Sequence, residues 1–338
     1  MIFMSKRILA AACAAATALA LSACSSAPSS EGNASKDGTL TVMASFYPLQ
    51  YLAEKIGGEH VTVTSLTPAG AEPHDLELSP KTVDALASAD AVVYLAGFQS
   101  AVDEAIEQQA PKTVIDVSPA AELVDANSSA NHPSEDEDEA QSGESATEEH
   151  ADHDHEGHDH EGHHHDMSAD PHFWLDPVRM ASAATLVGDK LAEADPANAD
   201  TYKANAKALN EELSALGDDL VAKTATCQIK TFVTAHTAFG YLADRTGLTQ
   251  VGISGLDPES SPSPARLAEI GQIAKDQGVT TIFTEALIDP KVAQTLADDL
   301  GISTAVLDPI ESQTDSSKDY AAVMKDNINA LTTANNCQ

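Results

Sequence analysis

Residues 196–223 read PANADTYKANAKALNEELSALGDDLVAK, and this stretch decides how the rest of the chain is organised. Asp195 and Pro196 are typical helix-start residues. A helix of about 27 residues would be ~40 Å long, which is the span of a whole domain. The stretch therefore predicts a rigid helix that joins two lobes, and a helix packed on the face of one lobe is the alternative. Its apolar residues, which recur at helical spacing, are Tyr202, Ala206, Leu209, Leu213, Leu216 and Leu220.

Strand patterns alternate with helix patterns on both sides of this helix. The predicted strands are 39–45, 60–66, 91–95, 231–234, 248–253, 280–283 and 304–307. Strands that alternate with helices favour parallel sheets. The predicted fold class is α/β, with a lobe at 38–195, the linking helix at 196–223 and a second lobe at 224–338.

The first 24 residues carry the features of an export signal. Lys6 and Arg7 precede an apolar run, and Leu21-Ser22-Ala23-Cys24 has the small residues and the cysteine of a lipobox. We therefore predict a signal peptide at 1–23, lipid on Cys24 and a flexible tether at 24–37, with the protein at the outer face of the cell membrane or in a periplasm. An ordinary signal peptide with a chance cysteine is the alternative.

The charge balance is strongly acidic. Lys and Arg number 18 against 53 Asp and Glu, for a formal net charge of -35. Nucleic acid and anionic membrane surfaces are poor partners for such a chain. Beyond Cys13 and Cys24, only Cys227 and Cys337 remain, and in an oxidising compartment we expect these two to pair.

Most of the 13 histidines lie in one acidic, aperiodic tract within the loop 127–168. Such a tract cannot bury enough surface to fold alone, and tracts of this composition bind metals. A charged spacer is the alternative. The histidines of the tract are His132 and, as the predicted weak auxiliary site, His150, His153, His155, His158, His160, His163, His164 and His165.

The tract contains a literal HExxH match, His160 to His164. That motif needs a packed helix, on which both histidines share one face and the Glu acts as a base. Here the match contains Gly162 and has no apolar face to pack. We therefore do not interpret the chain as a metalloprotease. We do not predict another kind of enzyme either, because a site of three histidines and one aspartate leaves a metal no open position.

Three other histidines lie beside structured segments. His74 lies in a loop after the second strand, His172 precedes Trp174, and His236 follows the strand 231–234 directly. Open α/β sheets bind their ligands at such strand ends. Three imidazoles and one carboxylate make a closed zinc site, and Asp308, after the last strand, is the candidate carboxylate. Spacing alone does not bring these residues together.

Five segments resemble the metal-binding subunits of zinc and manganese ABC importers. They are 73–80, 170–177, 195–202, 235–242 and 307–309, and the likeness covers the chain from about Gly38 onwards. The resemblance implies two α/β lobes joined by one long helix, with a metal ion between them. It also implies a monomer that serves a membrane permease. The family's ligand positions fall on His74, His172, His236 and Asp308.

The third ligand position indicates which metal is bound. A histidine there favours Zn²⁺, whereas the manganese branch of the family often has a carboxylate, which harder cations prefer. His236 therefore favours zinc. Some zinc members have a Glu directly before the first histidine, but this chain has Pro73, so Glu72 and Glu285 are possible second-shell residues. A manganese or iron(II) carrier and an extracellular zinc store or adhesin remain alternatives.

Overall fold

The computed structural model describes residues 39–126 and 169–338. The predicted signal peptide, Cys24, the tether and the loop 127–168 with its histidines lie outside these residues. The strands are β1 (Leu40–Ala44), β2 (Val61–Ser65), β3 (Ala91–Tyr94), β4 (Val114–Asp116), β5 (Thr231–Thr234), β6 (Thr249–Gly252), β7 (Thr281–Thr284) and β8 (Ser303–Val306). The helices are α1 (Tyr47–Gly57), α2 (Pro80–Leu86), α3 (Ser100–Gln109), α4 (Ser118–Ala121), α5 (Pro177–Ala194), α6 (Ala199–Thr224), α7 (Gly240–Thr246), α8 (Pro264–Asp276), α9 (Lys291–Leu300) and α10 (Tyr320–Ala334).

The strands form two sheets, one in each half of the chain. Their orders are β2-β1-β3-β4 and β6-β5-β7-β8, and every pairing between strands is parallel. The predicted fold class of two parallel-sheet α/β lobes is confirmed. The lobe limits 38–195 and 224–338 stay predictions.

Three helices begin in the same way, with a capping side chain followed by proline. Ser79, Asp176 and Ser263 each accept a hydrogen bond from a backbone N–H in the first turn of α2, α5 and α8. Proline fits the first turn because its missing N–H would have no partner there. These local signals fix where each helix starts relative to the strand or loop before it.

The long helix predicted from the sequence is α6, which spans 26 residues after a 3-10 turn at Pro196–Asn198. Its buried face includes all six apolar residues that recur at helical spacing. It lies along α5 and also contacts α1, α7 and α10. Because these helices belong to different halves of the chain, α6 joins the two lobes, and the alternative of a helix confined to one lobe is wrong.

Two glycines allow α5 and α6 to pack closely. A Cβ at Gly188 would lie 2.3 Å from the Cβ of Ala206, and one at Gly217 would lie 2.7 Å from Cγ2 of Val178. Real Cβ atoms do not approach other atoms this closely, so the helix axes are nearer than any side chain at these positions would permit.

Gly188→Ala is therefore expected to destabilise the protein, although alanine is the better helix former. Overpacking costs about 1–3 kcal/mol, against a gain of at most about 1 kcal/mol in helix propensity. Guanidinium unfolding monitored by circular dichroism measures the change. Gly271→Ala in α8 is the matched control, because its Cβ would meet its nearest atom, Cδ2 of Leu300, at 3.6 Å. A Gly188→Ala protein as stable as the Gly271→Ala protein would contradict the close packing.

One hydrophobic core runs through both lobes. Trp174 lies within it, with its ring centroid 4.8 Å from that of Phe46 in the N-terminal lobe. Its indole Nε1 donates to the backbone oxygen of Pro309 at 2.7 Å, and its own backbone oxygen accepts from the hydroxyl of Tyr320, both in the C-terminal lobe. Trp174 therefore anchors the His172 segment to both lobes.

The predicted disulfide is present, joining Cys227 to Cys337 across 110 residues. Cys227 follows α6 and Cys337 follows α10. The bridge thus ties the end of the chain to the point where it enters the C-terminal lobe. Of the helices in residues 39–126 and 169–338, none combines the length with the hydropathy that a membrane span requires.

Candidate metal centre

Three histidines and one glutamate meet where the two lobes face each other. The members of this cluster are His74, His172, His236 and Glu311, and one donor atom from each lies within 4.8 Å of the others. Oε1 of Glu311 is 3.4 Å from Nε2 of His74, 3.1 Å from Nε2 of His172 and 3.3 Å from Nε2 of His236. The three histidines therefore direct the same ring nitrogen at one point, which we call the metal centre.

Each member of the centre comes from a loop next to a regular element. His74 lies between β2 and α2, His172 precedes α5, His236 follows β5 by two residues and Glu311 lies between β8 and α10. Three of these loops leave the carboxyl ends of parallel strands, where α/β sheets place ligands. The centre thus draws its donors from both lobes.

The His74 loop is attached to both lobes. Nε2 of Gln99 donates to the backbone oxygen of Pro73 at 3.1 Å, which holds the loop to the N-terminal lobe. The backbone N–H of Gly70 donates to Oγ of Ser312 at 2.7 Å, which holds the loop to the C-terminal lobe. Ser312 directly follows Glu311 in the sequence. Only 6% of the His74 side chain is exposed, and His172 and His236 are fully buried.

Two carboxylates orient His172 and His236 in the same manner. Oδ1 of Asp170 accepts from the backbone N–H of His172 at 2.9 Å and from its Nδ1 at 2.8 Å. Oε1 of Glu285 accepts from the backbone N–H of His236 at 3.1 Å and from its Nδ1 at 2.7 Å. A carboxylate can only accept, so Nδ1 carries a proton in both rings and Nε2 is the atom that would bind a metal.

These carboxylates also control protonation of the two rings. Burial opposes the charged form of His172, but its hydrogen bonds to Asp170 and Glu311 outweigh burial and raise its pKa above the usual value. Burial likewise opposes the charged form of His236, but Glu285 and Glu311 raise the pKa of that ring well above the usual value. Both imidazoles therefore hold a proton more tightly than a free histidine does.

The other members of the centre behave differently. Burial lowers the pKa of His74, so this ring is neutral at neutral pH. Burial alone would raise the pKa of Glu311, but the hydrogen bonds from His172, His236 and His74 hold it well below the usual value. Burial and the charge of Glu311 raise the pKa of Glu72 to about 8. Glu72 Oε1 accepts from the backbone N–H of His74 at 3.1 Å.

The predicted fourth donor, Asp308, is not in the centre. Its Oδ1 accepts from the backbone N–H of Ile310 at 2.8 Å, and its own backbone N–H and C=O bond to the side-chain amide of Asn327. These contacts fix Asp308 in a turn, and the donor set brought together contains Glu311 instead. The sequence predicts the fourth donor at Asp308, whereas the structure brings Glu311 of the same loop to the three histidines.

The backbone at Ile310 explains the difference. Its φ is +58°, a left-handed conformation that is a true outlier for a β-branched residue. The chain reverses there, which turns Glu311 into the centre while the Ile310 side chain is buried. Strain of this kind costs about 1–3 kcal/mol and clusters at functional sites. The sequence does not predict this left-handed conformation, because isoleucine rarely adopts a positive φ.

Comparisons with known proteins point to one family. The family model for the zinc-uptake complex component A periplasmic proteins, ZnuA, matches residues 42–334. The high-affinity zinc uptake system protein ZnuA of Bacillus subtilis is 33% identical, and the match covers 94% of each chain. The zinc-binding lipoprotein AdcA of Streptococcus pneumoniae serotype 4 is 35% identical over 87% of this chain and 56% of its own length. The chain thus spans about half the length of the AdcA relatives.

A solved structure shows the same fold. The laminin-binding protein Lmb of Streptococcus agalactiae, described as bifunctional with adhesin and metal-transporting activity, superposes with a TM-score of 0.72 and 29% identity. That match covers 87% of this chain and 99% of Lmb. The family model spans both lobes and the long helix between them, so the chain belongs to the ZnuA family of zinc-uptake complex components.

Proposed function

We propose that this protein captures Zn²⁺ outside the cytoplasm and delivers it to the permease of an ABC importer. The observation that carries the proposal is the convergence of three Nε2 atoms on one carboxylate oxygen in a buried position between two lobes. Borderline nitrogen donors suit zinc, and one carboxylate supplies the negative charge. The named zinc-uptake and zinc-binding relatives support the choice.

The proposed ligands are His74, His172, His236 and Glu311. Four protein donors complete the four-coordinate shell that zinc adopts in closed sites. A catalytic zinc keeps a position open for water or substrate. We therefore propose binding and transport rather than catalysis, with zinc as the cargo. Asp170 and Glu285 serve as second-shell residues that orient the ligands.

We propose that the histidines of the loop 127–168 form a second, weaker class of zinc site. An acidic segment raises the local cation concentration, and salt screens this effect beyond a Debye length of ~8 Å. The composition of this segment predicts that it does not fold alone, so each capture of an ion would cost conformational entropy, and we expect its affinity to be lower than that of the buried centre. Its role is collection and transfer to the centre.

The proposed location is the outer face of the cell membrane. Lys6, Arg7 and the lipobox ending in Cys24 support export, cleavage and lipid attachment. The relative from Streptococcus pneumoniae is itself named a lipoprotein. The partner would be a membrane permease, and the protein would act as a monomer.

Metal analysis tests the choice of metal. The purified protein is exposed to equimolar Zn²⁺, Mn²⁺ and Fe²⁺, desalted and analysed by mass spectrometry for bound metal. We expect close to one tightly held zinc per chain. Retention of manganese or iron in preference to zinc would favour the carrier of harder cations that the same fold permits.

An extracellular zinc store or adhesin is the second candidate, because the structural relative Lmb is described as an adhesin as well as a metal transporter. Removing residues 131–166 distinguishes the candidates. A transport subunit keeps one tight zinc site after the deletion, because all four proposed ligands lie outside it. A store loses nearly all its zinc capacity. Calorimetric titration of the intact and deleted proteins gives the answer.

His236→Glu is expected to shift metal preference from Zn²⁺ toward Mn²⁺. The change replaces a borderline nitrogen with a hard oxygen donor at the centre. Competition binding with both ions gives the ratio of the two affinities, and His60→Glu, in the turn Gly58–His60, is the matched control. A ratio unchanged from the wild-type protein would mean that His236 is not a ligand.

A further inference from the structure

We propose that Tyr241 is a positioning residue for the metal centre, holding His172 in place through Asp170. The proposal rests on the proposed zinc-binding function. Tyr241 lies in α7, in the C-terminal lobe, and only 2% of it is exposed. Its hydroxyl donates to the backbone oxygen of Asp170 at 2.7 Å and accepts from the backbone N–H of Val124 at 2.9 Å.

The hydroxyl of Tyr241 closes the base of the loop 127–168. The backbone N–H of Asp170 donates to the oxygen of Val124 at 3.0 Å, and Asp125 forms an antiparallel bridge with Ala169. The two chain segments that enter and leave the loop are therefore paired, and Tyr241 bonds to both of them. This pairing leads directly into the residue whose carboxylate orients His172.

Asp170 transmits the position of Tyr241 to the centre. Its backbone oxygen is held by the Tyr241 hydroxyl, while its Oδ1 accepts from both the backbone N–H and Nδ1 of His172. Asp170 is fully buried, so water cannot replace a lost hydrogen bond without rearrangement. A shift of Asp170 therefore becomes a shift of the Nε2 atom that would bind zinc.

A second residue of α7 holds the other end of the His172 turn. Nε and Nη2 of Arg245 donate to Oδ1 and Oδ2 of Asp176 at 2.7 and 2.6 Å, and Asp176 caps the first turn of α5. Tyr241 and Arg245 are four residues apart and share one face of α7. Helix α7 begins four residues after His236. Its bonds to Asp170 and Asp176 therefore fix the His172 turn relative to the His236 segment through protein contacts alone.

Arg179 fixes the ring of Tyr241. Its guanidinium lies 4.7 Å from the ring centroid, and its Nη1 donates to the backbone oxygens of Ala121 and Glu122. Ala121 and Glu122 precede Val124 by three and two residues in the sequence. The phenol ring is therefore held between α5, which carries Arg179, and the chain segment that enters the loop. A buried tyrosine hydroxyl usually finds a partner. Here both of its partners belong to the two chain segments on either side of the loop, and one of them is the residue that orients His172.

Tyr241→Phe tests the proposal in the full-length protein, because it removes the hydroxyl and keeps the ring. We expect zinc to bind about 10-fold more weakly and to dissociate faster into a chelator. Tyr202→Phe is the matched control, since its hydroxyl donates to Oδ2 of Asp195 at 2.9 Å, just before the 3-10 turn that leads into α6. The control should lose similar thermal stability and leave zinc affinity within about twofold.

Hydrogen exchange on the zinc-free protein provides a readout that does not depend on zinc binding. In Tyr241→Phe the backbone amide of His172 should exchange about 10-fold faster, and in Tyr202→Phe it should not change. Equal zinc affinities with an unchanged His172 amide would overturn the proposal and show that Tyr241 only packs. If the wild-type protein bound no zinc tightly, the proposed function would fail, while the exchange data would still decide whether Tyr241 positions His172.

Discussion

Glu311→Gln is expected to weaken zinc binding by about 100-fold, whereas Asp308→Asn should change it by less than about threefold. Oε1 of Glu311 is the atom on which all three Nε2 atoms converge. Glutamine removes its negative charge, and contacts to charged groups contribute up to about 3 kcal/mol, close to two factors of ten in affinity. Competition with a zinc chelator measures the loss.

Asp308→Asn is the matched control for this prediction. The two residues lie in one loop, and asparagine keeps an oxygen that can accept from the backbone N–H of Ile310. Circular dichroism and thermal unfolding verify that both variants fold. If Asp308→Asn lost as much affinity as Glu311→Gln, Asp308 would be the ligand and the donor set of the structure would be incomplete.

The choice between Asp308 and Glu311 shows where sequence reasoning ends. Asp308 directly follows the last predicted strand, so a rule based on strand ends selects it. The donor is instead set by the backbone reversal at Ile310, whose φ of +58° has no signature in the residue type. The other three members of the centre are the histidines that the sequence singles out, and each lies beside an element that hydrophobic periodicity locates well.

The overall fold was more predictable than the centre. The alternation of strands and helices in both halves predicts two parallel-sheet lobes. The spacing of apolar residues along α6 predicts the linking helix. β4 was missed, because a three-residue strand, Val114–Asp116, is too short to show a period. The contact between α5 and α6 depends on Gly188 and Gly217, which lie where the two helices approach most closely. The sequence alone does not show this role, because it does not show which residues of the opposite helix each glycine faces.

The orienting carboxylates were found only in part. The sequence points to Glu285 because this residue follows a strand, and Glu285 does contact His236. Nothing in the sequence points to Asp170, although it lies two residues before His172 in the same segment. Its carboxylate reaches the ring because the chain turns at Pro171 into a 3-10 helix at Phe173–Leu175. Such short turns depend on packing around Trp174 rather than on local propensity.

Zinc binding is expected to release about one to two protons at about pH 7, because the zinc-free centre holds protons that the metal displaces. The pKa values of His172 and His236 are raised, so these rings keep protons where a free histidine would lose them. Zinc requires the Nε2 lone pair and therefore binds the neutral form. His74 and Glu311 contribute little, because the first is already neutral and the second already ionised.

The sign of the pH dependence follows from these directions. As pH rises through the raised pKa values, the rings lose their protons without zinc, competition ends and affinity reaches a plateau. As pH falls below that range, affinity drops about 10-fold per pH unit for each proton displaced.

Titration calorimetry in buffers of different ionisation enthalpy counts the protons that zinc displaces. Asp170→Asn should lower the count near pH 7, because His172 loses the carboxylate that raises its pKa. A wild-type binding heat that is independent of the buffer at pH 7 would show that the zinc-free rings are already neutral and would contradict the prediction.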